Sequence, residues 1–273
     1  MEKRPRLSDV ARQRLAEMMQ RKRLNDCMRI IGLLETKGMD FVVLKGPALA
    51  YFDQSRRFED LDIFVRRGDL GRTAQILSEG FGYRYSYPEE LEMMEDEGRD
   101  NAHDVSLESP RMIPVELHYR MFNYLTSDLL DPLSGKIYLK GIPCPRPELQ
   151  LALSLLQNVY HNMFLCDRKR WVRDINIIIG NHMIDWNAFI RLISDLGQAE
   201  IAYLAIRILN SGEGEQPLFP KEVVDGLAAR YAFSYFRWRV WRWAFCFVRD
   251  RLFPPPHLLT ERFGLGRDSA LFV

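Results

Sequence analysis

The sequence predicts an α+β fold: a small mixed sheet, preceded by a long helix and followed by an all-helical region. Three observations carry that prediction. Short apolar runs bounded by charge or glycine recur between Phe41 and Leu139, which is the signature of strands. Three prolines, Pro143, Pro145 and Pro147, then fall within five residues and interrupt the pattern. Beyond them the apolar spacing is helical. A chain of 273 residues accommodates two small domains, expected here at 1–143 and 144–273.

The first helix is expected from Ser8, as its cap, to about Thr36. Val10, Leu15, Met18, Met19, Leu24, Met28, Ile31 and Leu34 form its stripe, and Gly38 is a stop. Its early part is basic, as a solvated face would be. Phe41 to Leu44 reads as a buried strand that Lys45-Gly46-Pro47 breaks, with Pro47 opening a short helix to Phe52. Leu61 to Val65 is a second strand, and Asp69 then caps a helix ending at Gly80. Further strands are expected at Phe81–Tyr87, His103–Leu107, Ile113–Tyr119 and Ile137–Leu139, with an acidic loop or exposed helix at Glu89–Asp100. Helices follow at Leu149–Tyr160, Trp171–Ile179, after Asp185, and at Ile201–Leu209. Tyr231–Leu252 interleaves aromatics with five arginines; core packing, a nucleic-acid contact and a membrane surface are all open for it.

A hydrophobic fraction of 47% with 27% charged residues excludes a disordered or fibrous chain. Lys+Arg 38 against Asp+Glu 37 leaves no bulk attraction to nucleic acid, so electrostatic function must come from local clusters. Cys27, Cys144, Cys166 and Cys246 have no paired spacing, which fits neither a zinc knuckle nor a disulfide framework and suits a cytoplasmic protein. No apolar leader core follows the initial Met-Glu-Lys-Arg, and no uncharged run is long enough to span a bilayer.

The chemistry concentrates in Arg57-Phe58-Glu59-Asp60-Leu61-Asp62-Ile63-Phe64-Val65. Alternate strand residues share a face, so Asp60 and Asp62 point one way and Leu61, Ile63 and Val65 the other. Two carboxylates that close repel unless a cation lies between them, and hard oxygen donors suit Mg²⁺ with substrate phosphate. A solvated acidic strand end is the plainer reading of the pair. Gly46 stands fourteen positions before Asp60, at a strand-to-helix turn where backbone N–H groups and the Lys45 ammonium can meet an anion. Glu116 and His118 share a face in Val115-Glu116-Leu117-His118-Tyr119, and Glu116 joins the carboxylates if the two strands are neighbours. A hydrogen-bonded structural role is the alternative for His118.

Together, Val43-Leu44-Lys45-Gly46-Pro47-Ala48-Leu49-Ala50, then Arg57-x-x-Asp60-Leu61-Asp62-Ile63, then Glu116-Leu117-His118-Tyr119 resemble the uncharacterised nucleotidyltransferase family of the polymerase-beta-type nucleotidyltransferase superfamily. The wider superfamily has Gly-Ser or Gly-Gly at the turn; the smaller family shares the Lys-Gly form. The likeness extends more loosely through Arg170-Trp171-Val172-Arg173-Asp174-Ile175 and Ile184-Asp185-Trp186 to Leu252-Phe253-Pro254-Pro255.

The resemblance implies a magnesium-dependent nucleotidyltransferase, with Mn²⁺ as an alternative ion. It would move a nucleoside monophosphate, AMP from ATP first, onto a hydroxyl of a small molecule, biosynthetic intermediate or protein, releasing pyrophosphate. Asp60, Asp62 and Glu116 would be the catalytic and metal-binding carboxylates. Lys45, Gly46, Arg57, His118, Lys169 and Arg173 would meet the nucleotide. For Lys169, Arg170 and Arg173 a charged helix surface with a local Arg–Asp pair is the alternative, and for His161 a structural role. The other functions considered are a catalytically silent nucleotide-binding or antitoxin-like partner and an RNA-directed transferase. Repulsion between Asp60 and Asp62 predicts that Asp62→Asn leaves folding intact or improves it.

Overall fold

The structure, a computed structural model, describes residues 9–53, 56–86, 104–121, 131–160, 168–210 and 217–229. Helix α1 (Asp9–Thr36) is 28 residues long. Cys27, Ile30, Ile31 and Leu34 lie along one face of it and are fully buried. Leu15, Met18 and Met19 are exposed, so the first half of the predicted stripe does not meet the core. The cause is length: a helix of 28 residues is about 42 Å long and overruns a sheet whose strands have at most five residues.

Five strands form a mixed sheet in the order β1 (Phe41–Val43), β2 (Leu61–Val65), β5 (Val115–His118), β4 (Asp104–Glu108) and β3 (Arg84–Tyr85). β2 and β5 run parallel at the centre, and the remaining pairings are antiparallel. Alternation sorts the side chains cleanly. Val43, Leu61, Ile63, Val65, Leu107, Val115 and Leu117 belong to one apolar core, which α1 and α3 (Leu70–Phe81) cover. Asp62, Phe64, Glu116 and His118 take the other face. Gly80 sits where α3 meets α1, and a Cβ there would lie 2.4 Å from a Leu33 methyl, so a larger residue would make the Leu33 side chain move.

Helix α3 begins and ends differently from expectation. Asp69 closes a 3-10 turn, Arg67–Asp69, and its side chain makes no cap; instead the Thr73 hydroxyl donates to its carbonyl at 2.7 Å. The helix runs to Phe81 and stops at Gly82, which is left-handed at φ 69°. That consumes the start of the predicted third strand and leaves only Arg84–Tyr85. The predicted Glu89–Asp100 segment lies outside the described residues.

A hairpin of β6 (Ile137–Leu139) and β7 (Ile142–Cys144) follows, and β7 packs beside β1. Its turn is Lys140-Gly141, with φ 53° and 84°. β6 matches the expected strand, whereas β7 is not among the expected strands: the prolines there read as a break between domains, and Pro143 instead stands opposite Tyr138 in a two-stranded sheet.

The helices then run as α4 (Pro147–Tyr160), α5 (Arg168–Asn181), α6 (Trp186–Asp195), α7 (Ala199–Asn210) and α8 (Lys221–Ala228). Asp185 caps α6 as expected, its carboxylate accepting from the Ala188 N–H at 2.9 Å. These helices enclose a second core around Leu151, Leu155, Trp171, Ile175 and Phe189. Val42, Leu44, Leu49 and Phe64 belong to that core too, so the helical layer is anchored on the face of the sheet that carries Asp62. α2 (Pro47–Phe52) packs against α5.

Candidate active site

Asp62 is the polar residue of β2, and its strand neighbours Leu61 and Ile63 are fully buried behind it. The parallel pairing of β2 with β5 sets Glu116 directly opposite Asp62, and His118 opposite Phe64. The imidazole reaches back between the two carboxylates. Its Nε2 lies 3.4 Å from Asp62 Oδ1 and 3.5 Å from Glu116 Oε2. Asp62, Glu116 and His118 each offer a donor atom within 4.8 Å of the others. The other oxygen of Asp62 lies 4.0 Å from the Lys45 ammonium.

Asp60 stands outside that cluster, just before β2 begins. It is close enough to feel it: burial, then the charges of Asp62 and Glu116, push its pKa above the ordinary carboxylate value, with Lys45 partly opposing. Asp62 goes the other way. Burial would raise its pKa, but the His118 hydrogen bond and the Lys45 charge outweigh that and hold it below the usual range. Burial likewise disfavours the charged imidazole, yet hydrogen bonding to Asp62 and Glu116 raises His118 to about 9. Two carboxylates two residues apart are thus driven to opposite ionisation tendencies, a pattern found where acid–base or metal chemistry is done.

The turn that supports this arrangement is tight. Gly46 has φ 49°, and an added Cβ would lie 3.3 Å from Phe58 Cβ and 3.6 Å from the Asp60 carbonyl. Glycine therefore lets the Lys45 turn lie directly against the Asp60 loop. The Leu44 N–H donates to the Asp62 carbonyl at 3.1 Å, which fixes Lys45 beside the strand. From α1, Gln20 donates to the Arg56 carbonyl at 3.0 Å and Arg23 to the Phe58 carbonyl at 2.9 Å.

The remaining predicted contacts are spread more widely. Arg57 is exposed, whereas Arg56 beside it is buried and forms a two-pronged ion pair with Asp174 on α5. Arg173 pairs with Asp53 at 2.5 Å, rather than with its sequence neighbour Asp174. Arg173 and Lys169 line a cleft of about 620 Å³ between α2 and α5, with Phe52, Asp53, Asn176 and Asn181. His161 and the Tyr231–Leu252 segment lie outside the described residues. The sequence reading missed the His118 position between two carboxylates, although the Glu116-x-His118 alternation carried the signal. It also missed Arg56, since nothing local distinguishes it from Arg57.

Among the described residues no helix is long and apolar enough to cross a membrane. Residues 6–211 match the model of a family described as uncharacterised nucleotidyltransferase. No curated protein matches the chain. Among solved structures it is similar to a candidate nucleotidyltransferase from H. pylori, at 13% identity and a TM-score of 0.35, covering 82% of this chain and 94% of that one. It is also similar to an antigenic nucleotidyltransferase-like protein from Paracoccidioides brasiliensis, at 18% identity and a TM-score of 0.38, covering 84% and 97%.

Proposed function

The chain belongs to the uncharacterised nucleotidyltransferase family, and on that premise we propose that it transfers a nucleoside monophosphate, AMP from ATP first, to a hydroxyl-bearing acceptor. The observation that carries this reading is the placement of Asp62 directly opposite Glu116 on parallel strands, with Lys45 and Asp60 alongside. The donor set suits a divalent cation such as Mg²⁺: two carboxylates, Asp62 and Glu116, offer oxygens within 4.8 Å of each other, and the pKa of Asp62 is held low. Asp60, Asp62 and Glu116 would hold it. When bound, the ion would supply charge neutralisation for the triphosphate.

The chain's own residues do the positioning. An acceptor oxygen attacks the α-phosphorus, the bond to the bridging oxygen of the β-phosphate breaks, and pyrophosphate leaves. Glu116 orients the attacking hydroxyl and takes its proton. The Lys45 ammonium and the Gly46 turn meet the charge that builds on the leaving group, and Arg57 stands at its exposed side. We assign residues 1–143 to this catalytic unit and 144–273 to a helical unit that closes over the acceptor. Lys169 and Arg173 reach the acceptor or the triphosphate from the α2–α5 cleft.

Pyrophosphate release from each of the four nucleoside triphosphates, with Mg²⁺ and a fractionated extract as acceptor source, tests the reading. Release that depends on one triphosphate and disappears in Asp62→Asn supports it. Nucleotide-dependent thermal stabilisation with no release from any fraction would instead favour a silent binder of the antitoxin-like kind. Release that requires RNA in the fraction would point to an RNA-directed transferase.

A further inference from the structure

Resting on the nucleotidyl-transfer reading above, we propose that His118 is a direct ligand of the catalytic cation. The site then favours first-row transition divalent ions over Mg²⁺, with Mn²⁺ as the ion that reports on it spectroscopically. The geometry is set by the sheet. Parallel pairing puts Asp62 opposite Glu116, and the two-residue strand period brings His118 to the same face one step further along β5. The two separations from the imidazole are close to those of donors sharing one ion. At bond lengths of about 2.1 Å, adjacent ligands lie about 3.0 Å apart in octahedral and about 3.4 Å apart in tetrahedral coordination. The imidazole Nε2 is 3.4 Å from one carboxylate oxygen and 3.5 Å from the other. All three donor atoms lie within 4.8 Å of one another.

The chemistry of this set differs from that of a carboxylate-only site. Mg²⁺ favours oxygen ligands and its own water, whereas an imidazole nitrogen adds most to ions further along the first transition row. Two carboxylates and the triphosphate oxygens keep the set too hard for a thiophilic ion, and the described free thiols, Cys27 and Cys144, are buried in the core on the opposite face. Asp104 stands opposite His118 in the register of β4, on the same face as the cluster. An acidic group behind a ligating imidazole is a recurrent orienting device.

The test uses the full-length chain loaded with Mn²⁺ alone. Pulsed electron paramagnetic resonance should detect ¹⁴N coupling from a directly bound imidazole, lost in His118→Gln. Mn²⁺ affinity should fall at least about tenfold in that variant, while the Mg²⁺ constant, read by competition, changes less than about threefold. His118→Asp, which makes the set all-oxygen, should recover affinity without the ¹⁴N signal and narrow the Mn²⁺/Mg²⁺ preference at least about tenfold. No ¹⁴N coupling in the wild-type protein, or unchanged Mn²⁺ affinity in His118→Gln, overturns the proposal while leaving nucleotidyl transfer standing on the carboxylates. Mn²⁺ binding unaffected by Asp62→Asn overturns both. Should His118→Gln not fold, the wild-type spectrum and His118→Asp still decide.

Discussion

Arg56 and Asp174 face each other across the boundary between the sheet and the helices, joined by Nε to Oδ1 at 2.7 Å and by a second guanidinium nitrogen to Oδ2 at 3.0 Å. Both side chains are largely out of water, at 7% and 13% exposure. The next ion pair has the opposite polarity: Asp53, at the end of α2, with Arg173 on α5. Adjacent helix residues of opposite charge thus grip the two ends of a short segment, and that segment leads directly to Asp60. Losing one partner of such a buried pair costs about 3–5 kcal/mol, because the other charge is left without compensation. Arg56→Ala and Asp174→Ala should each lower stability by that order in denaturant unfolding. Arg56→Met with Asp174→Leu should recover part of it. Equal stability of all four proteins would show that the pair contributes nothing.

The two aspartates of the D-x-D strand should respond to amidation in opposite ways. Sequence reasoning treated them as mutually repelling equals, for which Asp62→Asn would be harmless or helpful. The structure corrects this. Asp62 is the carboxylate that His118 and Lys45 stabilise, and Asp60 is the one whose ionisation is disfavoured. Asp62→Asn should therefore lower the melting temperature, and Asp60→Asn should leave it unchanged or raise it. On the proposed mechanism both should reduce pyrophosphate release by at least about a hundredfold, since each would remove charge that holds the cation. A more stable Asp62→Asn would contradict the ion pairing described.

Stability should fall with rising pH in the absence of added metal, and His118 accounts for the slope. Its pKa is raised to about 9, so its contribution is complete below the ordinary histidine value near 6.5 and is lost as pH rises through about 9. Asp62 acts at the other end. Its pKa is depressed, so its contribution holds above the usual carboxylate range and is lost only on strong acidification. The buried thiols of Cys27 and Cys144 add to the alkaline loss, because burial raises both. Melting temperatures measured from pH 6.5 to 8.5 isolate the histidine. The wild-type protein should decline across that window and His118→Gln should be nearly flat; parallel curves would remove His118 as the cause.

Lys45→Ala separates a phosphate contact from a turn residue. The ammonium lies 4.0 Å from Asp62 and is partly exposed, so it can serve a bound triphosphate as well as the carboxylate. Triphosphate affinity should weaken about tenfold or more, as expected for a lost charge-assisted contact, while the far-ultraviolet spectrum is retained. Unchanged affinity would leave Lys45 with only its role beside Asp62.

Much of the site was legible because it lies on short strands with strict alternation. Leu61, Ile63 and Val65 announce one face, and Asp62 must then take the other. The same rule carried Glu116 and His118. What it could not supply was partner and distance. Local sequence does not say that β5 is the strand beside β2, nor that Arg56 rather than Arg57 is buried. The β6–β7 turn escaped notice because Lys140 adopts positive φ, a conformation that a lysine does not advertise. Leu15, Met18 and Met19 have helical spacing but no sheet beneath them; periodicity reports the shape of an element, not the extent of its neighbour. Asp185 was readable, since an aspartate before an apolar helix start is itself the capping signal.

Val42, Leu44, Leu49 and Phe64 give the helical core its foothold on the sheet, next to the carboxylate cluster. The catalytic strands therefore do not form a portable cassette. Cutting the chain after Cys144 would bare four apolar side chains beside the acidic groups, and such a fragment would tend to self-associate. Anyone grafting this chemistry onto another scaffold, or shortening it for expression, has to carry α4 and α5 along with the strands. The same coupling bears on inhibition. A compound that wedges between Phe64 and the helices would disturb the Asp62–Glu116–His118 cluster without touching those side chains.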